Sequence, residues 1–160
     1  MVTLFKFKLI SFFICSNLVF YTVNNQLFYE ALFCNSVTTI DKALDKLEEN
    51  QSNSVSVAYK GGLLMKKSGF MKTVTEKVKV FKEGYKLLEG EIEKKPLNVE
   101  YRFIRLTIQE NAPKILKYNK NIKQDKILIL DGYNSLNTKI KVYIREYAHQ
   151  SNVLSITDFP

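Results

Sequence analysis

The residues best placed to do chemistry in this 160-residue chain are Arg102, Arg105 and Gln109. They follow one another in steps of three and four, so a helix stacks them into a single polar seam. Two guanidinium forks side by side can hold a carboxylate or a phosphate bidentately. Asn111 and Tyr118 follow closely enough to border the same site. The same spacing allows a second outcome, in which the arginines pair with glutamates of the preceding helix, such as Glu89 or Glu93, and close the fold.

Other chemistries are poorly served. Glu100 and Glu110 lie on the same predicted helix, but ten residues apart they project about 80° from each other and about 15 Å along the axis. That is wide for the paired acids of glycan hydrolysis. His149 is the only histidine and reads as a solvated helix end. With one histidine and two cysteines, Cys15 and Cys34, no thiolate–imidazole zinc set can be assembled. No nucleophile-elbow motif accompanies His149, and Gly61-Gly62 and Gly69 match no phosphate-binding loop. Binding without a cofactor is therefore expected over catalysis. An enzyme acting on envelope glycans or lipids through Glu100 or Glu110 is the alternative.

The amino terminus speaks to location. Lys6 and Lys8 lead into an apolar run from Leu9 to Phe20, and no acid appears before Glu30. A short basic region followed by about 7–15 apolar residues is the pattern of a secretory signal, and the run is short for a membrane span of about 20 residues. A signal over 1–26 is predicted, with cleavage near 22–27 and a periplasmic or secreted product. Retention as an anchor and burial as an amino-terminal helix are the other outcomes. One domain over 27–150 follows, then an irregular tail over 151–160. After processing only Cys34 remains, so no internal disulfide is available, and this residue is expected as a small core side chain.

The net charge of +8 is unevenly spread. Residues 27–71 carry five cations against five anions, and 72–160 carry 17 against 11. Such asymmetry favours acidic partners. An exported chain without a recognition motif is not expected to bind nucleic acid. Lys114, Lys117, Lys120, Lys123 and Lys126 drift around a helix axis and form no single face. They read as a solvated, partly irregular segment capable of weak contact with an anionic membrane surface.

The elements that must position these groups read as helices throughout. Residues 36–50 carry Ile40, Ala43, Leu44 and Leu47 at helical spacing behind a cap at Ser36, Thr38 or Thr39. A second helix over 54–67 ends at Gly69, and its internal Gly61 and Gly62 imply close approach by a neighbouring helix. Residues 73–95 align Val74, Val78, Phe81, Tyr85, Leu88 and Ile92 on one stripe, with Gly84 beside it and Pro96 beyond. Residues 98–111 are apolar on two opposite sides, which requires a sandwiched, central helix. Helices over 122–134 (through Ile122, Ile127, Leu130 and Tyr133) and from Thr138 complete the set.

Gly84, Leu88 and Pro96, followed by Leu97-Asn98-Val99-Glu100-Tyr101, resemble the junction of two tetratricopeptide repeats, although Glu91 stands where that family has a small residue. The stretch Asn98–Pro113 together with Tyr118–Ile122 is similar to the central motif of short exported hypothetical proteins of Bacteroidetes. That resemblance implies a bacterial periplasmic or secreted helical protein and implies no activity. The expectation is therefore an all-α chain of antiparallel helical hairpins, a small tetratricopeptide-like solenoid or orthogonal bundle. It is expected to hold an acidic peptide or protein segment against Arg102, Arg105 and Gln109.

Overall fold

The computed structural model describes residues 25–48 and 53–160. The predicted signal, apart from its last two residues, lies outside the described residues. All-α architecture is observed. A helix over 25–33 (α1) is followed by α2 (Val37–Glu48), α3 (Ser54–Ser68), α4 (Val74–Lys94), α5 (Val99–Asn111), α6 (Ile122–Gly132) and α7 (Thr138–Ala148).

The starts of these helices are written in single residues. Asn53, Asn98 and Asn137 each accept from a backbone N–H in the first turn of α3, α5 and α7. Ser36 does the same for α2, through Thr39 N–H at 3.3 Å. Thr73 and Glu76 form a reciprocal box at the start of α4.

Glycines decide how closely α3 and α4 cross. A Cβ on Gly84 would sit 2.5 Å from the carbonyl oxygen of Gly61, and a Cβ on Gly61 would sit 2.7 Å from the backbone nitrogen of Leu88. The two backbones are thus in direct contact, as the paired glycines predict. Gly62 faces α5, where a Cβ would meet Ile104 at 2.7 Å.

α5 is the centre of the molecule. Nine consecutive residues, Tyr101 to Gln109, are buried, as its two apolar sides require. Phe103 meets Tyr29 and Phe33 of α1 and Tyr147 of α7. Tyr29 also stacks on Tyr143 of α7 at 4.2 Å, so the first and last described helices touch. This closure makes the described chain a bundle, with its two ends packed together.

Several expectations are corrected. Residues 27–33 carry no helical expectation, yet they supply Phe28, Tyr29, Ala31 and Leu32 to the core. Aromatic stacking, with Phe28 on Tyr59 at 3.7 Å, fixes that helix where periodicity over so short a run is weak. Only part of the α4 stripe is buried: Phe81, Leu88 and Ile92 are inside, while Val74 is 77% and Tyr85 46% exposed. On α6 the buried side is Asp125 and Ile129, continued by Tyr133 just beyond the helix, and Ile127 faces solvent. Cys34 is half-buried at the end of α1, its Sγ directed at the carbonyls of Ala31 and Ser36. The last ten residues are anchored, with Leu154 and Phe159 buried, Phe159 against Tyr133, and Lys126 bonded to Val153 O and Asp158.

Candidate functional site

The polar seam forms as its spacing predicts, and its partner is internal. Arg105 donates from Nε to Asp125 Oδ2 at 2.8 Å and from Nη2 to Oδ1 at 2.6 Å. Arg102 adds Nη1 to Oδ1 at 3.2 Å, and Gln109 adds Nε2 to Oδ2 at 2.8 Å. Four hydrogen bonds fill the acceptor capacity of this carboxylate. The remaining nitrogens of Arg102 hold the Pro96 carbonyl at 2.9 and 2.7 Å. Arg105 Nη1 reaches Glu89 at 2.8 Å, one of the two glutamates expected as its pairing partners.

Every nitrogen of both forks therefore has an acceptor within the chain. The seam is closed from solvent, with Arg102, Arg105 and Gln109 at 7, 3 and 2% exposure and Asp125 at 0%. Burial lowers the affinity of the Arg105 guanidinium for its proton, but Asp125 and Glu89 more than reverse that and hold it above its ordinary value. The bidentate fork expected to grip a ligand's carboxylate grips the chain's own, between α5 and α6.

The other predicted site residues disperse. Tyr118 donates its hydroxyl to Glu89, and burial with that carboxylate raises its pKa. It thereby joins the outer end of the Arg105 network. Asn111 stands at the far end of α5, its Nδ2 donating to Thr107 O at 2.8 Å and Tyr147 Oη at 3.0 Å.

Glu100 and Glu110 occupy opposite ends of α5. Glu100 accepts from the hydroxyls of Tyr29, at 2.9 Å, and Tyr59. Burial raises its pKa, outweighing those two hydrogen bonds. Glu110 accepts from Tyr147 Oη at 2.9 Å, Ser151 Oγ at 2.7 Å and Asn152 N–H, tying the turn after α7 to α5. The two carboxylates do not face a common cleft. Among the described residues no cluster of three or more histidine, cysteine or acidic side chains is arranged to hold a metal.

What does open to solvent is a cleft of about 260 Å³ at the carboxy-terminal ends of α1, α3 and α5. Leu32, Met65, Phe81 and Ile108 give it an apolar floor, and Lys66 and Asn111 are among its polar lining. Lys66 is its only cation among the described residues. Half-buried in the last turn of α3, this side chain makes no ion pair or hydrogen bond among the described residues. Burial lowers its pKa, with a small opposing effect from Cys34. The one carboxylate lining the cleft, Glu110, is committed to its three donors. What the cleft offers is apolar surface beside one unneutralised ammonium group.

No family model, no curated protein and no solved structure matches the chain. The functional reading therefore rests on this geometry. Two residues central to it, Asp125 and Lys66, carry no expectation from sequence. Asp125 had a usable signal: it lies three residues after Ile122 and four before Ile129, on the apolar side of α6. An acid at such a position needs a buried cation. Lys66 had none, since Lys67 beside it looks the same in sequence and pairs with Asp41 at 2.7 Å.

Proposed function

We propose that this chain is a non-enzymatic interaction module of the cell envelope that binds an acidic peptide or protein segment. The observation that carries the reading is the half-buried Lys66, without an ion pair among the described residues, in the cleft at the ends of α1, α3 and α5. A desolvated ammonium without a counter-ion is an unfavourable arrangement in the free protein, and an incoming carboxylate relieves it. The apolar floor beside it accommodates a neighbouring hydrophobic side chain. Location in the envelope is supported by the basic-then-apolar pattern of residues 1–20.

The experiment is a titration of a fluorescein-labelled peptide of alternating leucine and glutamate, followed by anisotropy, with wild type and Lys66→Met. Wild type is expected to bind and the variant to lose about tenfold or more in affinity, in line with one charge-assisted contact. Circular dichroism of both proteins confirms the fold. Equal affinity of the two proteins, or no binding by wild type, overturns the reading. Cell fractionation checks the location independently, and a cytosolic product overturns that part.

A further inference from the structure

A second surface, outside the cleft, combines apolar tips with unpaired lysines. Phe81 lies between two turns: it lines the cleft together with Gly69 and Pro113, and its ring meets Tyr118 edge-on at 5.4 Å. From the first turn and the start of α4 project Phe70, 37% exposed, and Val74, 77% exposed. From the second projects Ile115, 87% exposed. Lys72, Lys77, Lys114 and Lys117 are exposed on the same two segments, and none forms an ion pair among the described residues. The acid between them, Glu76, is engaged by the cap at Thr73.

We infer that this end of the bundle is a peripheral binding surface for an anionic lipid bilayer. Phe70 and Val74 stand four residues apart, in the turn before α4 and at its start, and Ile115 stands alone on the other segment. They do not form the packed, contiguous centre that a stable protein interface of about 800 Å² per partner requires. Shallow insertion asks only for isolated apolar tips with cations at headgroup level, and lysine stems reach that level easily. The lysines supply the charge complementarity, since none of the four forms an ion pair among the described residues. Such contact is peripheral, because among the described residues no helix is long and apolar enough to cross a membrane. This inference concerns a different surface and stands or falls apart from peptide binding in the cleft.

The chain contains no tryptophan, which gives a direct test. In full-length protein, Ile115→Trp places one indole at the most exposed tip. Its emission is expected to shift to the blue with vesicles of phosphatidylcholine containing phosphatidylglycerol, and to stay unshifted with phosphatidylcholine alone. Adding Lys114→Glu and Lys117→Glu is expected to weaken the response about tenfold or more, and about 0.5 M salt to suppress it. Circular dichroism verifies that each variant is folded. Because the reporter is local, membrane retention caused by residues 1–24 does not mimic the result. An indole that stays water-exposed while the protein sediments with vesicles overturns the inference. So does a shift that ignores salt and headgroup charge. A shift produced by polyglutamate and not by vesicles overturns it in favour of an acidic protein partner.

Discussion

Arg105 and Asp125 form a bidentate pair, with Nε–Oδ2 at 2.8 Å and Nη2–Oδ1 at 2.6 Å, that locks α5 to α6 in the buried interior. Arg102 and Gln109 converge on the same carboxylate, so one aspartate organises three residues of the neighbouring helix. Removing it strands two guanidinium groups away from water. Asp125→Ala is expected to destabilise the protein by about 3–5 kcal/mol, the usual cost of breaking one side of a buried ion pair. Urea unfolding measures it, and a change below about 1 kcal/mol would show that the pair is dispensable. Arg102→Glu with Arg105→Glu sets three carboxylates against one another and is expected to abolish the helical signal in circular dichroism.

That network shows what sequence could and could not reveal. Steps of three and four residues are enough to stack Arg102, Arg105 and Gln109, and the doubly apolar pattern of α5 is enough to place that helix inside. Neither says what the stack faces. The answer depends on which side of α6 turns inward, and a helix with apolar residues at both Ile127 and Ile129 leaves that open. Packing selected the Asp125–Ile129 side, and a seam read as a ligand site became a fastening. The cleft was still less legible, because it belongs to the ends of three helices far apart in sequence.

The glycine crossing offers a controlled comparison. Gly84→Ala drives a methyl group against the Gly61 carbonyl and Met65, and Gly61→Ala meets the backbone of α4. Each is expected to cost about 1–3 kcal/mol through overpacking. Gly90, on the same helix, has open space on its side-chain face, with nothing within 4 Å of where a methyl group would stand. Gly90→Ala should therefore stabilise by about 0.5–1 kcal/mol through helix propensity alone. Thermal unfolding of the three variants decides. Equal behaviour at positions 84 and 90 would refute direct backbone contact.

Glu100 gives the protein a pH dependence of definite sign. Its folded pKa is raised, first by burial, so the protonated form is favoured by folding. That contribution is present below the ordinary glutamate value and is lost as pH rises through the folded value. Glu100→Gln keeps an acceptor for Tyr29 or Tyr59 without a charge. The stability of the variant relative to wild type should grow as pH rises from about 4 to about 8. Denaturant titrations at several pH values test this, and a difference that shrinks over that range would reverse the assignment.

Lys66 should show the opposing demands of stability and binding. Its folded pKa is lowered by burial, so at neutral pH the charged form is disfavoured by folding. Lys66→Met is expected to raise the melting temperature while weakening peptide binding. The advantage should diminish as pH approaches the ordinary lysine range, where wild type sheds its proton as well. A lower melting temperature for the variant at neutral pH would mean that the ammonium has a structural partner.

The meeting of Tyr29 with Tyr143 bears on how such a protein can change over evolutionary time. An open array of helical hairpins grows by duplication, because each new unit stacks on an exposed terminal face. Here Tyr29 and Phe33 of α1 lie against Tyr143 and Tyr147 of α7, so these two helices partly cover each other. Lengthening the turns at 69–73 and 112–121, which border the cleft and carry Phe70 and Ile115, would add recognition surface and leave that contact intact.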